Sequence, residues 1–161
     1  MQEHIQNELA SFIANCDWEK IAPHFKEDAA YRVLDWIGCA VAGEHYPQVE
    51  IAQKYFIENG DQGNSTVIGH QTKCSPRTAA FLNGIAGHVC ELDDGHRTAI
   101  GHPGSIAVPT ALALGEHLNA SGADVLKAVI LGYEVFSRLG RTVNPSHYRT
   151  WHTTGTCGTI A

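Results

Sequence analysis

The sequence predicts an all-α fold, a multi-helix bundle. Apolar residues recur at three- and four-residue steps along most of the chain. Helix-start signatures stand directly before several of these segments, Ser75-Pro76 and the pair Ser121 and Asp124 among them. β-Branched residues mixed with turn formers are confined to one stretch, "NSTVIGHQTKCS", which reads as a loop with at most one short extended piece.

Taken in order, "EDAAYRVLDWIGCAVAG" places Ala30, Val33, Leu34, Ile37, Ala40 and Val41 on one helical face, with Gly43 suited to the C-terminal cap. "QVEIAQKYFIENG" is a shorter helix ended by Asn59-Gly60. Ser75 as cap and Pro76 at the first helical position open a helix over "PRTAAFLNGIAGHVCEL". Gly84 and Gly87 inside it each cost up to ~1 kcal/mol relative to Ala, which a close helix–helix approach would justify. The next helix covers "SIAVPTALALGEHL", where a Ser105 cap would leave Pro109 among first-turn amides that have no helical partner. "SGADVLKAVILGYEVFSRLG" opens on Ser121 with Asp124 in the capping-box position and closes on Gly140. "HTTGTCGTIA" looks like a helix that has only begun where the sequence stops, so residues 1–161 read as one helical domain truncated at its C-terminus.

Composition narrows the function. At 161 residues, 43% hydrophobic and 17% charged, the chain suits a single folded globule. The net charge of −6 and the lack of a basic stripe argue against nucleic acid as a partner. Five scattered cysteines without a CxxC pair suit reduced thiols better than a disulfide frame or a structural zinc. "MQEHIQNELASF" has neither the basic nor the apolar region of a signal peptide, and no apolar run approaches a membrane span. A soluble, cytoplasmic protein is expected.

The chemistry concentrates in "CELDDGHRTAIGHPGS", residues 90–105, where Glu91, Asp93, Asp94, His96 and His102 crowd together after an apolar helix. A solvated turn, a metal site and an acid/base site are all open. A Pro103-Gly104 reversal would bring His102 back over the carboxylates, a preset geometry that proton transfer needs. D-D-x-H resembles part of a carboxylate–histidine metal site, yet neither H-E-x-x-H nor an EF-hand loop is present. A second cluster lies in "NPSHYRTWHTTGTCG", where Tyr148 and His152 precede Thr154 at a glycine- and threonine-rich helix start. Such a start offers amides and hydroxyls to an anion, or caps itself locally.

"FLNGIAGHVCELDDGHR", "HPGSIAVPTALALGE", "LGYEVFSRLGR" and "NPSHYRTWHTTGTCG", in this order and with the earlier "VLDWIGCAVAG", resemble the MmgE/PrpD family. That family includes 2-methylcitrate dehydratase, cis-aconitate decarboxylase and iminodisuccinate epimerase. The resemblance implies an N-terminal helical domain, a separate α+β lid lying beyond residue 161, a dimer, and no metal or other cofactor. It also implies a lyase-type reaction in which a proton is removed or added beside a carboxylate. Carried over by position, the family's acidic run falls on Glu91, Asp93 and Asp94, and its active-site histidines fall on His102 and His152. Glu91 and Gly95 depart from the decarboxylase pattern, which has Asp and Thr there.

Together the residues and the resemblance assign catalysis to His102, Asp93, Asp94 and His152, and contact with a small di- or tricarboxylate to Glu91, His96, Tyr148 and Thr154. Arg77, Arg97 and Arg138 are available to offset substrate charge. The family's distal lysines are absent, so a silent helical fragment that binds or dimerises is the competing expectation. Apolar faces left without partners would make the isolated chain self-associate.

Overall fold

Three helices open on proline at or next to the first helical position, where the missing N–H has no intrahelical partner to lose. The computed structural model describes residues 2–161. Its helices are α1 (Gln2–Ala14), α2 (Pro23–Gly43), α3 (Pro47–Glu58), α4 (Pro76–His88), α5 (Gly104–Leu118), α6 (Gly122–Val143) and α7 (Thr153–Gly158). Single-turn 3₁₀ segments at Trp18–Lys20 and His147–Arg149 complete the order. Among the described residues there is no strand, only isolated bridges between Ser65 and Cys74 and between His96 and Gly101. The all-α expectation holds, and the first bridge falls in the one stretch expected to be extended.

The main core joins Trp36 and Ala40 of α2, Val49 of α3, Ala86 of α4, Val108 of α5 and Val129 of α6. Small residues set how closely these helices approach. A Cβ on Gly87 would collide with the Trp36 indole, and one on Gly43 would collide with the Ala86 carbonyl, so α2 and α4 meet backbone to ring. A second cluster, Val67, Cys74, Ala79, Leu82 and Ala113, pins the long loop after α3 onto α4 and α5. Ala99, Phe136 and Cys157 form a third, which anchors the loop between α4 and α5 to α6 and α7. All five cysteines are free thiols.

Several expected boundaries move, each for a local reason. Helix α4 ends at His88 rather than near Leu92, because the chain turns through Glu91 at φ 49°. Ser105 does not cap α5. Its hydroxyl donates to the His102 carbonyl at 2.9 Å, and Pro103 holds the cap position with Gly104 already helical. Pro109 therefore lies inside the helix, beyond the first turn, where Ser105 loses its usual backbone donor and sits against Gly84. Ser121 does cap α6, accepting from the Asp124 amide at 3.2 Å, but the helix runs past Gly140 to Val143. Gly140 serves a contact instead, since a Cβ there would stand 2.6 Å from the Ala99 Cβ.

Candidate active site

Residues 89–103 link α4 to α5 and carry most of the chemistry. The turn within them is not made by Pro103-Gly104. His96 N–H donates to the Gly101 carbonyl at 2.8 Å, Ile100 N–H returns to the His96 carbonyl at 2.8 Å, and Ile100 takes a left-handed φ of 52°. The His96 ring adds a third tie, accepting the Ala99 amide at Nδ1 over 3.1 Å. Asn144 closes the loop from outside, donating to the Ala99 carbonyl at 2.6 Å. The backbone N–H of His102 donates to the Thr154 hydroxyl at 3.0 Å, so α7 fixes where the histidine stands.

Asp93 is the centre of the site. Its side chain is 0% exposed and faces two imidazoles. His88, on the last turn of α4, donates from Nδ1 to Oδ1 at 3.0 Å. His102 Nδ1 lies 3.4 Å from Oδ2 but is not aligned for a hydrogen bond, and that nitrogen is sealed from solvent. The two rings meet edge to face with centroids 4.7 Å apart. A buried carboxylate held by one imidazole is poised to stabilise charge on the other.

Asp94 has a different surrounding. Arg32 of α2 reaches Oδ2 at 2.6 Å, the Tyr133 hydroxyl of α6 donates to Oδ2 at 3.0 Å, and the Gly104 amide donates to Oδ1 at 3.2 Å. It thereby caps α5 from the loop, the part Ser105 was expected to play. A side chain at Gly104 would strike both Asp94 and the Tyr133 hydroxyl, so the Asp94–Tyr133 pair would have to move. Burial, reinforced by Asp94, pushes the Tyr133 phenol far above its ordinary value. Burial alone would lower Arg32, but Asp28 and Asp94 outweigh it and hold the guanidinium charged.

Two clefts flank the buried cluster. His102 opens on one of about 340 Å³ shared with His96, Arg97 and Tyr148. His88 opens on another of about 530 Å³, walled mainly by apolar groups such as Phe81, Ile85 and Ile106, with His152 and Thr154 at its rim. The structure thus brings His102, His96 and Tyr148 to one cleft with Asp93 behind His102, and places His152 in the His88 cleft with its ring 6.2 Å from that of Tyr148. Thr154 is buried, and its hydroxyl accepts the His102 amide while it lines the His88 cleft. Glu91 is exposed and separate from the Asp93 carboxylate cluster. Of the three arginines, Arg97 alone lines the His102 cleft, while Arg138 pairs with Glu134 and Arg77 lies near Asp61.

Sequence reasoning missed His88, Arg32 and Tyr133. His88 left a local trace, a histidine five residues before Asp93 at the end of a helix. Arg32 and Tyr133 lie 62 and 39 residues from Asp94 and left none.

The chain resembles several curated proteins. It is 30% identical over 158 residues to the cis-aconitate decarboxylase-like protein oryM of Aspergillus oryzae, covering 92% of this chain and 33% of that protein. It is 31% identical over 163 residues to the cis-aconitate decarboxylase of Aspergillus terreus, covering 97% and 32%. The human cis-aconitate decarboxylase is 32% identical over 139 residues, covering 80% and 29%. The chain therefore spans about a third of the length of the relatives it matches. The sequence model of the MmgE/PrpD N-terminal domain matches residues 7–161, nearly the whole chain, and with the helical architecture around the 89–103 loop this places the protein in the MmgE/PrpD family.

Proposed function

We propose that the chain supplies the proton-transfer half of a lyase acting beside a carboxylate of a small di- or tricarboxylate, in the manner of 2-methylcitrate dehydratase. The observation that carries this is the buried Asp93 between His88 and His102, with His102 bordering a cleft that also holds Arg97. Removing a proton next to a carboxylate builds enolate charge, which a nearby cation offsets. With Nδ1 turned to Asp93, the opposite nitrogen Nε2 is the one free to take that proton. The imidazolium so formed sits against the Asp93 carboxylate, which His88 holds through both oxygens. In a dehydration the carbon–hydrogen electron pair becomes the new double bond as the carbon–oxygen bond breaks, and the hydroxyl leaves with a proton as water. In this reading His96 and Tyr148 contact substrate from the cleft walls, and His152 reaches it from the His88 side.

Decarboxylation is the second reading, favoured by the relatives named as cis-aconitate decarboxylases. There the bond to the departing carboxylate breaks, carbon dioxide leaves, and His102 delivers a proton to the carbanion. The experiment is an assay of 2-methylcitrate and cis-aconitate with protein expressed from its full reading frame, beside its His102→Ala variant. Water loss from 2-methylcitrate that depends on His102 supports the first reading, and carbon dioxide release from cis-aconitate supports the second. Turnover untouched by His102→Ala overturns both.

A role in self-association is favoured by a separate observation. Tyr31, Leu34 and Val41 of α2 are 62%, 65% and 52% exposed, at spacings that line one side of the helix. We propose that this face packs against a second copy or further polypeptide. Light scattering of Leu34→Glu against wild type tests it, and an unchanged particle mass would sink it.

A further inference from the structure

We propose that His88, Asp93 and His102 form a binding site for a divalent first-row transition-metal ion of the zinc class, and that its occupancy switches the site off. The binding half stands on geometry alone. The inhibitory half rests on the proton-transfer reading above.

One ligand atom from each of the three residues lies within 4.8 Å of the others. Asp93 Oδ2 stands 3.2 Å from the His88 Nδ1 and 3.4 Å from the His102 Nδ1. Around a four-coordinate ion with bonds of ~2.0–2.1 Å, donor atoms sit about 3.3 Å apart, so these separations fit two edges of such a polyhedron. Hydrogen bonding explains only one of them. His88 Nδ1 is aligned on the carboxylate, whereas His102 Nδ1 is buried beside the same carboxylate without a hydrogen bond. A buried nitrogen without a partner, facing a buried carboxylate, is what a shared cation would satisfy. Two imidazoles and one carboxylate suit zinc, cobalt or iron(II) rather than magnesium or calcium. His88 and His102 are 31% and 27% exposed, so both rings border solvent while His102 Nδ1 itself is buried.

The consequence for chemistry follows from the tautomer. An imidazole that gives its Nδ1 lone pair to a metal carries its proton on Nε2. Nε2 then has no free lone pair and cannot accept a proton from substrate. Metal binding and base catalysis at His102 are therefore mutually exclusive.

The test is a titration of chelator-treated protein with Co²⁺, followed through its visible d–d absorption, and then with Zn²⁺ in competition. One ion per chain is expected. His88→Ala, Asp93→Asn and His102→Ala should each weaken binding about tenfold or more, while His70→Ala, in an exposed loop, should not. Absence of saturable binding, or binding indifferent to all three variants, overturns the site. X-ray absorption of the zinc-loaded wild type gives an answer that does not depend on any variant folding. Two imidazole ligands support the assignment, and fewer overturn it. In the full-reading-frame enzyme, stoichiometric Zn²⁺ should abolish turnover reversibly, with chelator restoring it. Zinc bound by two imidazoles with turnover unchanged overturns the switch. If His102→Ala weakens Co²⁺ binding yet keeps turnover, the proton-transfer reading fails and the switch with it, while the metal site stands.

Discussion

Asp93 faces two imidazoles in a buried pocket, while Asp94, one residue on, faces a guanidinium, a phenol and a helix-terminal amide. The residue type is the same and the two positions are adjacent, yet their surroundings differ. Asp93 is bordered by the imidazoles of His88 and His102. Asp94 accepts from donors on α2, α6 and the start of α5, so it ties three helices together, and it lines a cleft of about 530 Å³ beside Arg32 and Tyr133. Carboxylates in a row are thus distinguished by what the fold delivers to each, and on the proton-transfer reading proposed above the first of this pair carries the acid/base work.

The largest expected effects lie on the Asp93 side. His102→Ala should lower turnover by ~10² or more in the complete enzyme, with helical content unchanged by circular dichroism. Asp93→Asn should act in the same direction, because an amide cannot offset charge on His102. Asp94→Ala should instead leave turnover per folded molecule within a few-fold of wild type. Comparable losses of turnover at both aspartates would break the distinction drawn here.

The second effect is Asp94's own. Removing it strands the Gly104 amide and the Tyr133 hydroxyl and releases Arg32, which is half-exposed and rehydrates readily. A loss of about 2–3 kcal/mol in unfolding free energy is expected, with most of it from the buried partners. Urea denaturation measures it. A loss well under 1 kcal/mol would mean that the network is ornamental.

How much of this was legible beforehand follows from where the partners lie. Helices α2 to α6 announce themselves through local periodicity and through caps such as Ser75 and Ser121, both of which accept from the expected amides. The chemistry of the 89–103 loop was also legible, since Asp93 and His102 sit nine residues apart in one charged stretch. What the sequence does not show is any contact delivered from far along the chain. Nothing near Asp94 in sequence points to Arg32 or Tyr133. Ser105 was assigned the α5 cap because the carboxylate that does the job arrives from across the loop. The sequence puts Thr154 at a helix start open to substrate, and only the structure shows that its hydroxyl also accepts the His102 amide 52 residues away.

That last contact gives a third, smaller test. Thr154→Val keeps the shape of the side chain and removes the acceptor, leaving the His102 N–H unsatisfied at about 1–2 kcal/mol. If Thr154 only positions His102, kcat should fall roughly tenfold for a barrier rise of ~1.4 kcal/mol while KM stays near wild type. A change confined to KM would return Thr154 to the substrate-binding role.

The smallest effect concerns pH and sharpens the Asp94 side. The Tyr133 phenol has an ordinary value of 10.0, and burial together with Asp94 raises it well above that in the folded protein. Above pH 10 the unfolded chain releases this proton while the folded chain retains it. The unfolded state then binds fewer protons, so unfolding free energy falls as pH rises. Tyr133's contribution is therefore complete below pH 10 and is lost as the pH climbs from there toward the folded value, by at most about 1.4 kcal/mol per pH unit. Tyr133→Phe should cost about 1 kcal/mol at neutral pH, where the hydrogen bond to Asp94 is missing. The same variant should flatten the alkaline limb, so that the two proteins converge in stability as the pH passes 10. Urea midpoints taken at intervals from neutral to strongly alkaline pH decide it. Parallel curves with no convergence would show that the phenol's proton is as easily lost folded as unfolded, and that Asp94 does not hold it.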